Sequence, residues 1–98
     1  EMPYVILTHD KPDSLELRLA TRASHLEYLR PFKDQVLAGG AFLTEDGSLA
    51  GGAMIVFNTE KLSEAEELIK NDPYTKVGLF SHVEVKRWKK VFFDGDEV

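Results

Sequence analysis

The sequence predicts a single α+β domain whose elements follow the order strand, helix, strand, strand, helix, strand. Three observations support this prediction: four short segments rich in β-forming residues, two segments with a helical spacing of apolar residues, and an Asp-Gly pair typical of a hairpin turn. A length of 98 residues suits one domain. We therefore expect residues 1–98 to form one domain, with residues 94–98 as an exposed acidic tail.

The first strand and the first helix are indicated by composition and by the residues at the helix ends. Residues 2–8 are rich in β-forming side chains and predict a strand, which a turn follows. A helix is expected over residues 14–30, because Asp13 and Glu16 have the spacing of a capping box at its start and Pro31 ends it. Its core-facing stripe is expected to consist of the apolar residues Leu15, Leu19, Ala23 and Leu26.

A β-hairpin is expected in the middle of the chain. Residues 36–44 and 50–57 both have the composition of strands. Asp46 and Gly47 stand between them, and an Asp-Gly pair favours the tight turn that joins two antiparallel strands. These two segments therefore predict the second and third strands.

The second helix and the fourth strand complete the predicted order. Ser63 and Glu66 have capping-box spacing at the start of the helix, and Pro73 follows its end. Residues 74–81 are expected to form an irregular connection or one loose turn. Residues 82–91 begin with alternating polar and apolar side chains, which is typical of an edge strand.

The element order predicts both the topology and the assembly. Right-handed crossovers place both helices on one face of the sheet, which gives a ferredoxin-like βαββαβ sandwich with antiparallel strands in the order 4-1-3-2. The central strands, at residues 4–7 and 54–57, are apolar on both faces. Since two short helices cover only one face, we expect a second copy of the chain to cover the other face, sheet against sheet. The alternative is that residues 91–93 fold back over the sheet of their own chain.

Composition excludes several classes of function. The formal net charge is −5, so the chain lacks the basic surface of a nucleic-acid-binding protein. No apolar run approaches the length of about 20 residues that spans a bilayer, so no membrane partner is expected. The absence of cysteine excludes disulfides and thiolate metal sites, and it is compatible with a cytoplasmic location, which we expect. The three histidines have no partner at a metal-binding spacing, so no metal site is expected.

Chemistry is expected at His25, in the first helix. Arg18 and Arg22 precede it at four- and three-residue spacings, which place the three side chains on one helical stripe. A neutral imidazole acts as a general base near neutral pH, and the arginines suit an anionic substrate. The structural alternative is a boundary histidine with one hydrogen bond and two solvated arginines, and spacing alone favours that alternative.

Three further positions are candidates of the same kind. Asp72 either stops the second helix together with Pro73 or serves as a carboxylate that orients a histidine. Gly51 and Gly52 either let a substrate approach the backbone closely or form a bulge in the third strand. The residues alone leave these alternatives open.

In the order and spacing of these residues and motifs, the chain resembles the YciI-like (YCII-related) family of small dimeric α/β proteins. The resemblance extends from Tyr4 to about Phe92. The matching segments are the first helix from Arg18 through Arg22, His25-Leu26 and Tyr28-Leu29, then Gly40, Asp46-Gly47, Gly51-Gly52, Asp72-Pro73-Tyr74, Gly78, and the last strand from Val83 to Val91.

The resemblance implies a dimeric α/β barrel and a functional His–Asp pair, which His25 and Asp72 represent here. Similar domains are linked to lyase-like or dehydrochlorinase chemistry. We therefore expect a cofactor-independent enzyme of lyase, isomerase or hydrolase type with His25 as general acid/base and Asp72 either orienting it or sharing the proton transfer. Arg22, Arg18, Gly51 and Gly52 are expected to bind a small organic acid. The alternative is a non-catalytic module that binds a small ligand at the same place.

The ideal topology places His25 and Asp72 apart. With antiparallel helices, Asp72 lies near the start of the first helix, while His25 lies about three turns along it, roughly 15–18 Å away. A direct hydrogen bond between them then requires a tilted helix crossing or a loop that turns inward. Otherwise the pair acts through the substrate or across the dimer. In the same layout His9 lies closer to Asp72 and is the reserve partner.

Overall fold

The computed structural model describes residues 2–98. Its elements are β1 (Tyr4–Asp10), α1 (Leu15–Leu29), a 3-10 turn (Arg30–Phe32), β2 (Val36–Leu43), β3 (Leu49–Phe57), α2 (Leu62–Lys70), α3 (Pro73–Lys76), β4 (Phe80–Arg87), β5 (Phe92–Phe93) and β6 (Asp96–Glu97). The main sheet is antiparallel in the order β2-β3-β1-β4, which confirms the predicted topology.

The core lies between the sheet and the helices. Side chains alternate along β1, so Tyr4 and Ile6 point towards the helices and are buried. Cross-strand pairing places Phe57 beside Tyr4 and Ile55 beside Ile6 on the same face. Helix α2 completes this cluster with the buried residues Ala65, Leu68 and Ile69.

The opposite face of the sheet is also apolar at its centre, as predicted for strands that are covered on both sides. Val5, Leu7 and Met54 alternate with the inward residues and are half-buried, and Val56 is buried. At the edge, Phe42 remains 38% exposed. The second copy that is expected to cover this face stays a prediction.

Several local predictions were wrong. Strand β1 continues to Asp10, two residues into the predicted turn, and β4 runs from Phe80 to Arg87 and not from residue 82 to residue 91. Of the two alternatives for residues 74–81, the loose turn is confirmed, and it is the one-turn helix α3. Residues 94–98 are exposed as expected, but β5 and β6 form a small hairpin that includes most of them.

Neither predicted capping box forms. Helix α1 begins after Ser14, whose side chain bonds to the carbonyl of Pro12 and caps nothing. Helix α2 begins at Leu62, one residue before the predicted cap. Instead, the Thr59 hydroxyl accepts a hydrogen bond from the backbone N–H of Lys61 and donates one to a carboxylate of the first turn, that of Glu64.

Helix α1 turns a different face inward than its apolar pattern predicts. Leu15 and Leu19 are 53% and 54% exposed, Ala23 is exposed and Leu26 is half-buried. The inward face instead carries four polar side chains, each with a hydrogen-bond partner, which removes most of the cost of burying them. These are Arg18 (to Asp10), Thr21 (to the carbonyl of Leu17), His25 (to Asp72) and Tyr28 (to the carbonyl of Leu68).

Candidate active site

A cavity of about 290 Å³ lies between helix α1 and strands β2 and β3. Small residues of the two strands form its floor, so that helix and sheet do not fill the space between them. Apolar side chains line one end, and polar side chains line the wall formed by α1. The lining residues are Arg18, Arg22, His25, Leu26, Leu29, Val36, Gly39, Gly40, Ala41, Ala53, Ile55 and Tyr74.

His25 and Asp72 are in direct contact at this cavity. The Nδ1 atom of His25 lies 2.8 Å from Oδ2 and 3.0 Å from Oδ1 of Asp72. Asp72 is fully buried, and its Oδ1 also accepts a hydrogen bond of 2.8 Å from the backbone N–H of Tyr74. The side chain of His25 is 16% exposed, and its Nε2 atom has no hydrogen-bond partner in residues 2–98.

The separation of the ideal topology does not occur, because helix α3 supplies the inward turn that a direct hydrogen bond between His25 and Asp72 requires. The chain leaves α2 at Asn71 and turns at once into α3, which packs against α1 and has Asp72 as its N-cap. This turn carries Asp72 to the third turn of α1. His9, the reserve partner, points to the opposite face of the sheet, where its ring stacks on His82 at 5.8 Å.

Two residues that the sequence analysis missed complete the polar wall. Asp10 binds Arg18 through two hydrogen bonds, of 2.6 Å to Nε and 3.0 Å to a terminal nitrogen. The Arg18 guanidinium lies 4.7 Å from the ring centre of Tyr74, and that ring stacks on His25 at 4.1 Å with an interplanar angle of 19°. Alternation along β1 could have revealed Asp10, since it follows the inward residues Ile6 and Thr8 at two-residue spacing.

The two arginines differ in their availability for a ligand. Arg18 donates its two hydrogen bonds to the Asp10 carboxylate, and they raise the pKa of Arg18 above its usual value. The negative charge of Asp10 offsets the positive charge of Arg18, which is 5% exposed. Arg22 is exposed and makes no hydrogen bond or ion pair with the part of the chain that the structure describes. Arg22 is therefore the cation that remains available to a negatively charged ligand at this cavity.

Gly51 and Gly52 do not line the cavity at His25. Gly51 has a positive φ of 82° and borders a neighbouring cleft beside Asp10 and Arg18. Gly52 pairs with His9, and a Cβ atom there would lie 2.5 Å from the carbonyl oxygen of Thr8. The contact with Thr8 gives Gly52 a packing role in strand β3, and the expected approach of a substrate to the backbone of the two glycines stays a prediction.

Replacing Gly52 with alanine should lower the free energy of unfolding by about 1–3 kcal/mol, because the new methyl group forces β1 and β3 apart. Urea unfolding followed by circular dichroism measures this loss. Gly40→Ala is the matched control: its Cβ meets no atom within 4 Å, so its stability should stay at or above that of the wild type. Equal stabilities of the two variants would contradict the close contact with Thr8.

A second cavity offers no comparable chemistry. This larger cavity of about 380 Å³ lies between α1 and α2, and its lining contains carboxylates, amides and aromatic rings but no histidine. No group of three or more histidine, aspartate and glutamate side chains within residues 2–98 is arranged to hold a metal ion. No helix in the same residues is long and apolar enough to cross a bilayer.

Known proteins similar to this chain share both sequence and fold. Protein YciI of Escherichia coli O6:H1 is 40% identical over 98 residues, which cover 93% of this chain and all of that protein. The structure of the 5-chloro-2-hydroxyhydroquinone dehydrochlorinase TftG from Burkholderia phenoliruptrix, in complex with 2,5-dihydroxybenzoquinone, is 35% identical with a TM-score of 0.81, covering 91% of this chain and 94% of TftG.

More distant structures share the fold alone. An antibiotic biosynthesis monooxygenase is 12% identical with a TM-score of 0.57, covering 93% of this chain and 99% of the other. This similarity of fold is consistent with the ferredoxin-like architecture of the dimeric α/β barrel proteins. The model of the YCII-related domain matches residues 2–89. Taken with the YciI relative, this match shows that the chain belongs to the YCII-related family.

Proposed function

We propose that the chain is a cofactor-independent acid/base enzyme of lyase type that eliminates HX from a small organic acid, with His25 as the general base. The observation that carries the proposal is the hydrogen bond between His25 and the buried Asp72 at the edge of a cavity. A histidine held in this way, with its second nitrogen free, is the usual arrangement of a histidine base.

Asp72 determines which nitrogen of His25 carries the proton. An ionised carboxylate only accepts hydrogen bonds, so Nδ1 must be the donor in this contact. The neutral ring then has its lone pair on Nε2, the atom without a protein partner. As Nε2 takes up a proton, the nearby carboxylate stabilises the imidazolium that forms.

The reaction needs only proton transfer and the departure of a leaving group. Nε2 of His25 takes a proton from the carbon next to the one that bears the leaving group X. The electron pair of the broken C–H bond becomes a carbon–carbon double bond, and X departs with the electrons of its own bond. The released X⁻ and the proton on His25 together amount to HX.

The rest of the cavity suits a small anionic molecule with an apolar body. Arg22 is free to bind a carboxylate or another oxyanion, for which its guanidinium has matching geometry. Leu26, Leu29, Val36 and Ile55 offer apolar surface to the remainder of the substrate. Elimination is preferred over isomerisation or hydrolysis because TftG, at 35% identity, is a dehydrochlorinase.

The proposal is tested by supplying halogenated small organic acids, together with 5-chloro-2-hydroxyhydroquinone, and measuring halide release by ion chromatography. For any compound that is turned over, His25→Ala should lower kcat at least about 10²-fold. His82→Ala is the matched control, since His82 lies on the opposite face of the sheet with its side chain 61% exposed.

Two results would contradict the proposed function. If His25→Ala retained wild-type turnover, His25 would not be the base. If compounds bound at the cavity with micromolar affinity and none was ever converted, the chain would be a ligand-binding module, which is the alternative that the same cavity allows.

A further inference from the structure

The ring of Tyr74 packs between Arg18 and His25, the two ends of the polar wall. It stacks on His25, it lies 4.7 Å from the guanidinium of Arg18, and its edge meets the ring of Phe80 at 6.0 Å. Positions 18 and 25 are about two turns, or ~10.5 Å, apart along α1, so a ring in contact with both side chains fits between them. Tyr74 is 2% exposed and therefore has one well-defined position.

The hydroxyl group of Tyr74 has no partner within the protein. It makes no hydrogen bond with residues 2–98. In the same residues, no side-chain nitrogen or oxygen atom that is sealed from solvent lacks a partner, so this hydroxyl is not sealed. Tyr74 lines the cavity at His25 and is otherwise buried, so this cavity is where the unpartnered hydroxyl can reach solvent or a ligand. Phenylalanine would pack equally well here, so packing alone gives no reason for the hydroxyl.

The phenol keeps its proton at neutral pH. Burial raises the pKa of Tyr74 above its usual value, and the positive charges of Arg18 and Arg22 oppose this effect only in part. The neutral phenol is a hydrogen-bond donor, and a donor that faces a cavity suits a substrate oxygen.

We propose that the Tyr74 hydroxyl donates a hydrogen bond to a substrate oxygen that becomes negative while His25 removes the proton. This inference rests on the proposed function and specifies its substrate class: a carbonyl compound, or its enol, with the acidic C–H next to the carbonyl carbon and the leaving group on the following carbon. A halogenated compound without an oxygen at that carbon is excluded.

The electron movements follow from this placement. When Nε2 of His25 takes the proton, the C–H electron pair forms a double bond to the carbonyl carbon, and the carbonyl π pair moves onto the oxygen. Tyr74 retains its own proton and stabilises the resulting enolate, as donors in an oxyanion hole do. The carbonyl then re-forms, the double bond shifts towards the second carbon, and X⁻ departs.

Tyr74→Phe tests the hydroxyl without disturbing the packing of the ring. We expect kcat to fall about 10²-fold while KM stays within threefold, because the oxygen is most negative in the transition state. The stability of the variant should equal that of the wild type, since no protein hydrogen bond is lost. Tyr4→Phe is the matched control, because Tyr4 lies outside the cavity lining and its ring faces Arg87. Wild-type kcat in Tyr74→Phe would overturn the inference even if His25→Ala were inactive.

A binding experiment tests the same hydroxyl without turnover. 2,5-Dihydroxybenzoquinone, the compound bound in the TftG structure, serves as an oxygen-rich probe whose visible absorbance reports binding. Wild type and Tyr4→Phe should bind it equally, and Tyr74→Phe should bind it about tenfold more weakly, the size of one hydrogen bond to a charged oxygen. Equal affinity in all three proteins, or no binding to the wild type, would contradict the role of Tyr74. Neither result depends on whether His25 is a base.

Discussion

Asp72→Asn is expected to lower kcat by about 10³–10⁴-fold while the fold stays intact. Asparagine has the same shape, and its carbonyl oxygen can still accept the hydrogen bond from the backbone N–H of Tyr74 that caps α3. Its NH₂ group then faces Nδ1 of His25 and can only donate. The imidazole must therefore place its proton on Nε2, the atom that has to be free to act as a base.

Two measurements test this expectation. Nitrogen-15 NMR of the imidazole should show the proton on Nδ1 of His25 in the wild type and on Nε2 in the variant, with or without a substrate. Steady-state kinetics should show the loss of kcat, with Asp96→Asn, an exposed aspartate of the β5–β6 hairpin, as the control. Retention of kcat within threefold of the wild type would mean that Asp72 serves only to cap α3.

Asp10→Ala is expected to lower the free energy of unfolding by about 3–5 kcal/mol. The side chains of Asp10 and Arg18 are only 4% and 7% exposed. Without the carboxylate, the Arg18 guanidinium stays buried beside Tyr74 with no negative partner. A buried charge that loses its partner costs several times more than a broken surface ion pair.

Urea unfolding gives the free energy for Asp10→Ala and for a matched surface variant. Glu60→Ala breaks the exposed ion pair between Glu60 and Arg87 and should cost less than about 1 kcal/mol. The double variant Asp10→Leu/Arg18→Met removes both charges together and should recover most of the lost stability. If Asp10→Ala cost no more than Glu60→Ala, the pair would not be holding α1 in place.

The sheet could be predicted from the sequence because its strands follow simple composition rules. The segment from Tyr4 to Leu7 and the segment from Met54 to Phe57 are central strands, as their apolar character on both faces predicts. The Asp46-Gly47 turn also lies between β2 and β3, as expected. Right-handed crossovers then allow only a few arrangements, and the observed one is among them.

Helix α1 could not be oriented from the sequence because its inward face is polar. The rule that apolar stripes face the core predicted Leu15 and Leu19 inside, and both are exposed. Arg18 and His25 are inside because their partners, Asp10 and Asp72, come from β1 and from the start of α3. No local pattern reveals such distant hydrogen bonds.

The pairing of His25 with Asp72 came from the family resemblance, and the resemblance left its geometry open. A one-turn helix decides whether the two side chains touch, and four residues leave too weak a pattern for a confident assignment. The position of Tyr74 could not be predicted from the sequence either. Its presence in the Asp-Pro-Tyr segment is plain in the sequence, but its position between Arg18 and His25 follows only from the packing of α3 on α1.

The small residues on the cavity floor determine the size of the molecule that fits, and the stability of the fold does not depend on their being small. Gly39, Gly40, Ala41 and Ala53 leave space that α1 does not fill, and an added Cβ at Gly39 or Gly40 would meet only ordinary contacts or none. Selection can therefore enlarge these side chains and exclude bulkier molecules at little cost in stability. The polar wall remains unchanged by such substitutions, because its side chains come from α1, β1 and α3. Under the proposed function, the small residues of β2 and β3 therefore limit the size of the substrate without altering the groups that act on it.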